Sequence, residues 1–334
     1  MFCLFLFQNN KVHPIIFVME IEVLSKEKIL SNLLKNRFPN GAKSPYFAFY
    51  SSWSGGITFD AELMVVPVDD HLVHRGDGVF EAIKAVNGKP YLLKPHLERL
   101  QRSAAFTGLK LPHSLDGFSE LIFSLIEKSR TVLPPNFLIR LFVSRGPGDF
   151  TTNPYSTVGS QVYIALTPLG IYTDQQRAAG VKIGLSRVPA KETWLAPYKT
   201  CNYIQNVLVK KESLDQNWDF SICVDAQGFI TESSTENICW INPQGEICHP
   251  FKDRILLGTM MLRAFQLAEG LGLRVIANAR LHFDDLSKQS EVFLAGTTLD
   301  VLRVGSISEQ TIDVPAYEGS FVKKIHTLLV KDQQ

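Results

Sequence analysis

Ala196-Pro-Tyr-Lys199-Thr-Cys-Asn202-Tyr-Ile-Gln-Asn206-Val-Leu208 sets a lysine between an apolar stretch and a helical pattern. Upstream, Val181–Val188 reads as a strand, followed by the loop Pro189–Tyr198. Downstream, Asn202–Leu214 reads as a helix with Ile204, Val207, Leu208 and Leu214 on one face. A lysine that attacks a carbonyl must be placed by rigid elements and partly desolvated, and a strand-to-helix junction supplies that placement. The other reading of Lys199, taken alone, is a solvated loop residue. Farther out, strands are expected at Phe220–Val224, Phe229–Thr231 and Asn237–Ile241, joined by the turn sequences Asp225-Ala-Gln-Gly228 and Asn242-Pro-Gln-Gly245. A helix Thr259–Leu271 and a strand Glu291–Ala295, stopped by Gly296-Thr297-Thr298, complete the alternation of strand and helix.

The N-terminal half has the same character. Residues 24–40 read as a charged amphipathic helix that Phe38-Pro39-Asn40-Gly41 terminates. Strands follow at Tyr46–Ser52 and, after a Ser-Gly-Gly turn, Glu62–Val66. Gly78–Val86 and Lys89–Leu93 flank Asn87-Gly88, a dipeptide suited to a tight hairpin because both central positions want positive φ. Helices Lys94–Phe106 and Leu115–Arg130 precede strands Phe137–Ser144 and Gln161–Thr167. Pro168–Gly180 is polar and punctuated by Pro and Gly. The expected class is α/β in two domains: an extension and helix over 1–45, a small α/β domain over 46–168, a linker at 169–180 and a larger strand-rich domain over 181–334. The first is expected to be mixed, with helices on one side, and the second rich in antiparallel strands. Neither an internal repeat nor a low-complexity tract is visible.

The 334 residues carry 34 basic and 33 acidic side chains, a net charge of +1. Nucleic-acid affinity rests on clustered Lys and Arg neutralising phosphates, so this balance argues against such a partner. A small molecule or a second copy of the chain fits better. Apolar residues make up 45% and mean hydropathy is +0.04, which excludes collagen-like, disordered and multi-span membrane classes. Cys3, Cys201, Cys223, Cys239 and Cys248 contain no Cys-x-x-Cys pair, so free thiols in a reducing cytoplasm are expected rather than disulfides or zinc. The histidines lack metal-ligand spacing. Met1–Phe7 is apolar but far short of the roughly 20 residues a span needs, lacks a signal-peptide layout, and leaves Met19 as a second candidate start. Arg75-Gly-Asp77 spells an adhesion tripeptide, a coincidence in a cytoplasmic protein.

Other positions could carry chemistry. Glu232 lies between the strand Gly228-Phe-Ile-Thr231 and Ser233-Ser-Thr-Glu-Asn237. It reads as a polar turn cap or as the carboxylate that a protonated pyridine nitrogen requires. Leu257-Gly258-Thr259-Met260 opens a helix, where free amides and the dipole attract an anion. Gly296-Thr297-Thr298 ends a strand with amides and hydroxyls that could do the same. Each also reads as ordinary capping. Arg99 lies off the buried stripe of Leu97, Leu100 and Ala104, one turn after His96, where it suits a phosphate clamp or an exposed face.

In order and spacing these segments resemble the class IV aminotransferases, the fold-type IV pyridoxal-phosphate enzymes, which include branched-chain and D-amino-acid aminotransferases and aminodeoxychorismate lyase. His71-Leu-Val-His-Arg-Gly-Asp-Gly-Val-Phe-Glu81 is similar to the family's opening motif, and Pro95-His96-Leu-Glu-Arg99 to its phosphate-gripping helix. Lys199-Thr-Cys-Asn-Tyr203 resembles the Schiff-base segment, Ile230-Thr-Glu232-Ser-Ser-Thr-Glu-Asn237 the pyridine-nitrogen segment, and the two Gly-Thr junctions the phosphate turns. The likeness runs from about residue 46 to 310. It implies a homodimer with the site at the domain cleft, completed by the neighbouring subunit. It implies pyridoxal 5'-phosphate held as an imine by Lys199, which then shuttles the α-proton. Glu232 keeps the ring nitrogen protonated, Tyr203 faces the cofactor, and Arg99, Gly258, Thr259, Met260, Thr297 and Thr298 bind phosphate. Arg75, Phe80 and Arg140 fall to the substrate, an amino acid or 2-oxo acid.

Departures touch the substrate side. Met261 stands where the family often has Arg, Arg75 where branched-chain enzymes tend to have Tyr, and Pro147-Gly-Asp-Phe-Thr-Thr-Asn153 lacks the basic residues that D-amino-acid enzymes and the lyase use for a carboxylate. Transamination is the expected activity. Aminodeoxychorismate cleavage to pyruvate and 4-aminobenzoate is the alternative within the family, and a cofactor-binding protein without catalysis is the alternative outside it.

Overall fold

The computed structural model describes residues 7–8, 11–12, 21–35, 45–312 and 315–334, and its contacts divide the chain into two units, 1–43 and 44–334. In the first, β1 (Phe7–Gln8) and β2 (Lys11–Val12) pair antiparallel. Helix α1 (Lys26–Leu33) starts at Ser25, whose hydroxyl accepts the Lys28 amide at 3.2 Å. The helix is thus shorter than the expected 24–40, and the Pro39-Gly41 stop lies outside the described residues.

The second unit carries two sheets. The first comprises β3 (Ala48–Ser51), β4 (Gly56–Thr58), β5 (Gly78–Val86), β6 (Lys89–Pro90), β7 (Phe137–Ser144) and β8 (Gln161–Pro168), in the order β4-β3-β8-β7-β5-β6. Every pair in it is antiparallel. Asn87 and Gly88 take φ of +50° and +76°, the left-handed pair that a two-residue hairpin demands. Helices α2 (His71–Arg75), α3 (Leu93–Phe106) and α4 (Leu115–Lys128) belong to this region. One face of β5 and β7 joins Leu97, Leu100, Phe118, Ile122 and Leu125 in a buried core. The opposite face, with Phe80 and Arg140, is left free to line a cavity. Glu62–Val66 is not a strand: a tight turn after β3 brings Gly56–Thr58 into register with it, and beyond this edge strand the chain makes a 3-10 turn at Ala61–Leu63.

The remaining strands and α-helices are α5 (Asp174–Ala179), β9 (Val181–Leu185), α6 (Ile204–Asp215), β10 (Phe220–Ile222), β11 (Asn237–Ile241), β12 (Ile247–Cys248), α7 (Thr259–Glu269), β13 (Val275–Ile276), β14 (Glu291–Gly296), β15 (Asp300–Ile307), β16 (Gln310–Thr311) and α8 (Phe321–Asp332). The second sheet runs β10-β9-β15-β14-β11-β12-β13, with β16 on β15. It is the mixed one, since β9 pairs parallel with β10 and β15. The first sheet, expected to be mixed, is therefore wholly antiparallel, while the second, expected to be rich in antiparallel strands, has four antiparallel pairs beside three parallel ones. The expected linker contains α5, begun by a Thr173–Gln176 capping box. Phe229–Thr231 makes isolated bridges rather than a strand. The apolar stripe of α6 has helical spacing but faces outward, with Ile204, Val207, Leu208 and Leu214 exposed and Asn206, Val209, Glu212 and Ser213 buried. Among the described residues no helix is long and apolar enough to cross a membrane.

Candidate active site

Lys199 is fixed from two sides. Its carbonyl accepts the Phe80 amide of β5 at 3.1 Å, and the Cys201 amide returns to Gly78 O at 2.8 Å, so the segment lies along β5 like a short added strand. The Lys199 amide donates to Ser103 Oγ of α3 at 2.9 Å. The side chain enters a cavity of about 490 Å³, where Nζ lies 3.2 Å from Tyr203 Oη and 4.3 Å from the centre of the Phe80 ring. Burial, reinforced by the Arg99 charge and opposed by Glu81, Glu232 and Glu236, pushes the amine down to about 8. At pH 8 the neutral, nucleophilic fraction rises from well under ~1% for a free lysine to about half. Burial pushes the Tyr203 phenol up to about 12, so it stays protonated.

This arrangement has a stability consequence of definite sign. Below pH 8 the folded protein bears the full cost of the buried amine. That cost fades between pH 8 and about 10.5, where the unfolded chain gives up the same proton. Cofactor-free Lys199→Met should therefore be more stable than the parent at pH 7 by about 2–3 kcal/mol, and the gain should shrink towards pH 10. Denaturant midpoints at both pH values measure it, and a gain that grows with pH would contradict the placement.

Arg99 is not on an exposed face. It is 5% exposed, and its Nε and Nη2 donate to Glu81 Oε1 and Oε2 at 2.8 and 2.7 Å. Burial alone would raise the Glu81 carboxyl, but Arg99 and His96 outweigh it and hold the group at about 2. Burial pushes the His96 imidazole down, against the pull of Glu81. Its Nδ1 donates to Glu81 Oε2, a carboxylate oxygen that can only accept, at 2.7 Å, and in the neutral ring Nε2 accepts the Thr259 hydroxyl at 3.0 Å. Arg99 Nη1 also donates to Leu257 O at 3.2 Å, which leaves two guanidinium N–H groups for a ligand. Glu81 thus orients both the cation and, through His96, the first residue of α7.

Helix α7 starts at Gly258 with no side-chain cap, leaving the Thr259 and Met260 amides free. A Cβ at Gly258 would fall 2.2 Å from Asn237 Oδ1, so any other residue there would have to displace the Asn237 amide, whose Nδ2 donates to Leu256 O at 2.8 Å. Thr297 and Thr298 line the same cavity from the end of β14. Glu232 also lines it. Its Oε2 accepts the Leu256 amide at 2.9 Å, and Lys191 Nζ lies 4.0 Å from Oε1. Burial raises this carboxyl, against the pull of Lys191, Leu256 N–H and Lys199.

The cavity wall is the free face of β5 and β7. Phe80 pairs with Phe142 and Ala82 with Arg140, so period-2 alternation sets Phe80, Ala82, Leu138, Arg140 and Phe142 on one side. Arg140 is the charge in this apolar wall, and no hydrogen bond or ion pair engages it among the described residues. Arg75 is not brought to the cavity. Helix α2 ends at Gly76, φ +64°, and the guanidinium turns to the carbonyls of Phe150 and, at 3.0 Å, His74.

The family model described as amino-transferase class IV matches residues 78–307. The chain belongs to the class IV aminotransferases. It is 31% identical over 294 residues to the chloroplastic D-amino-acid transaminase of Arabidopsis thaliana, covering 86% of this chain and 77% of that protein. It is 30% identical to a probable branched-chain-amino-acid aminotransferase of Rickettsia bellii, covering 76% and 86%. Among solved structures, the branched-chain aminotransferase of the archaeon Thermoproteus uzoniensis with norvaline superposes with TM-score 0.76 at 22% identity over 86% of this chain and 95% of that one. The 4-amino-4-deoxychorismate lyase of Pseudomonas aeruginosa gives 0.70 at 22% identity over 80% and 95%. As a class IV aminotransferase the chain is an enzyme of α/β fold.

The structure gathers Lys199, Arg99, Tyr203, Glu232, Gly258, Thr259, Met260, Thr297, Thr298, Phe80 and Arg140 around one cavity and leaves Arg75 outside it. Glu236 was not anticipated. It is 7% exposed, lines the cavity, accepts the Thr235 amide at 3.1 Å and the Thr235 hydroxyl, and is raised by burial. Its signal was an acidic residue directly before the wholly buried strand β11, four positions after Glu232.

Proposed function

We propose that this aminotransferase works with pyridoxal 5'-phosphate held in the Lys199 cavity. The observation that carries the reading is the convergence, in one cavity, of a buried lysine poised near 8, a carboxylate at Glu232 and a separate anion-binding set. The residues fit that group. Two N–H groups of Arg99, the Thr259 and Met260 amides and the Thr297–Thr298 turn suit a phosphate. Glu232 suits a protonated ring nitrogen, since opposite charge in a buried setting stabilises the proton there. Bound, the cofactor supplies an aldehyde for condensation with amines and a ring that takes up the electron pair left by a departing α-proton. Lys199 Nζ then holds and returns that proton, because about half of the amine is free to accept one at pH 8. Tyr203 Oη accepts a hydrogen bond from Nζ and orients it. Phe80 and Phe142 exclude water from that side.

The substrates are an amino acid and a 2-oxo acid, and Arg140 favours those with a second carboxylate, such as glutamate and 2-oxoglutarate. A guanidinium–carboxylate contact contributes roughly 1.5–3 kcal/mol. Arg140→Met should raise KM for glutamate at least tenfold and leave KM for an apolar donor nearly unchanged. Equal losses for both donors would assign Arg140 to the common α-carboxylate or to the fold. The reaction itself is tested by mixing the loaded enzyme with L- and D-amino acids and following conversion of the cofactor to its pyridoxamine form. Pyruvate release from aminodeoxychorismate without amino transfer would instead establish the lyase.

The two sheets have separate cores, which supports a small domain over 46–168 and a large one over 181–334. The exposed apolar stripe of α6 supports a homodimer, and Arg75 enters this reading only through the second copy. Free, buried Cys223, Cys239 and Cys248 support a reducing compartment, the cytoplasm.

A further inference from the structure

The turn carrying Thr297 and Thr298 is held from behind by a cluster that takes no part in the chemistry above. Gly296 of β14 pairs with Asp300 of β15, which makes Thr297-Thr298-Leu299 a three-residue hairpin loop closed by a left-handed residue. That position ordinarily favours glycine, yet Asp300 occupies it at φ +61° and is 4% exposed. Its carboxylate accounts for the choice. Oδ1 accepts Lys84 Nζ of β5 at 2.6 Å and Gln333 Nε2 at 2.8 Å. Oδ2 lies 3.9 Å from Arg177 Nη2 of α5 and 4.0 Å from His326 Nε2 of α8. Arg177 Nη1 donates at 3.0 Å to both Leu299 O and Val301 O, the carbonyls on either side of Asp300. Thr298 borders the Lys199 cavity on one side and, on the other, a cavity of about 400 Å³ lined by Lys84, Arg177, Asp300 and His326.

We infer that Asp300 is a positioning residue for cofactor binding: anchored by Lys84 and Arg177, it locks the Gly296–Leu299 turn in the conformation that presents its amides and hydroxyls to the phosphate. Lys84 belongs to the first sheet and Asp300 to the second, so the contact also ties the turn to the strand whose other residues wall the cavity. The inference rests on the reading that phosphate sits at this turn. A role confined to folding would weaken every ligand of the cavity alike, whereas a role in shaping the turn acts only on ligands that bear the phosphate.

The test compares dissociation constants of the full-length apoenzyme for pyridoxal 5'-phosphate and for pyridoxal, which lacks the phosphate. Asp300→Asn, which tolerates the left-handed backbone but removes the charge, should weaken pyridoxal 5'-phosphate about tenfold and pyridoxal less than twofold. Lys84→Met, which keeps Asp300 but removes its nearest cation, should show the same selectivity and stands in if the first variant fails to fold. Equal losses for both ligands, or no loss for either, would overturn the inference. Thr297→Ala separates it from the underlying reading. Phosphate-selective loss in Thr297→Ala but not in the Asp300 and Lys84 variants refutes the inference alone, and absence of any phosphate preference in the parent enzyme refutes both.

Discussion

Lys199→Ala is expected to reduce transamination by roughly 10⁴-fold or more while the protein stays folded and still binds the cofactor through its phosphate. The size follows from two functions meeting on one atom. On the proposed reading Nζ would anchor the cofactor covalently, and the same amine, pushed down to about 8 by burial, would serve as the base. Tyr203 cannot replace it, since burial pushes its phenol up to about 12. Neither can Lys191, which is committed to Glu232 and to the Tyr203 ring, 5.0 Å from its centre. The measurements are the single-turnover rate with an amino donor and the visible absorbance of the loaded protein. A variant that retained either would remove Lys199 from the chemistry.

Glu232→Gln should slow turnover by about 10²–10³-fold with cofactor still bound. Glutamine keeps the shape and can accept the Leu256 amide through its Oε1, so the loop between β10 and β11 has no reason to collapse. What it loses is charge. In the parent, burial works against the carboxylate while Lys191, Leu256 N–H and Lys199 work for it, and a cationic ring nitrogen would tip the balance to the ionised form. Without that charge the ring nitrogen has no partner to keep it protonated, and the electron pair released at the α-carbon loses its destination. The check is kcat together with cofactor retention measured by absorbance. Near-normal kcat would make Glu232 a turn residue only.

What could be read from sequence was whatever short-range chemistry dictates. Asn87-Gly88 fixed the hairpin because the turn requires two left-handed residues, and β7 spans Phe137–Ser144 as its apolar run suggests. The helices α3 and α7 begin within one residue of the expected positions. The failures are nonlocal. Strand direction in the two sheets depends on which strands become neighbours, and β15 inserts between β9 and β14 from more than a hundred residues beyond β9. Periodicity identified the apolar face of α6 but not which way it points, because burial against the same chain and exposure on it leave the same pattern. Helix α5 hid in a polar segment whose capping box is legible only when Thr173 and Gln176 are considered together.

The site divides in the same way. Lys199, Glu232 and the two Gly-Thr junctions were each ambiguous alone and became legible through the order and spacing that resemble the class IV family. The Glu81–Arg99 and Glu81–His96–Thr259 contacts did not, because they join residues 18, 15 and 163 positions apart. Arg75 went the other way: a charge beside a recognisable motif bonds the carbonyls of His74 and Phe150 rather than lining the Lys199 cavity of its own chain, beyond a helix that the left-handed Gly76 ends.

The most direct test of a cofactor site built on Lys199 is borohydride reduction of the protein loaded with pyridoxal 5'-phosphate, followed by peptide mapping. The account predicts one labelled residue, Lys199, with labelling abolished in Lys199→Ala. Label on Lys191 or Lys210 in its place would contradict it.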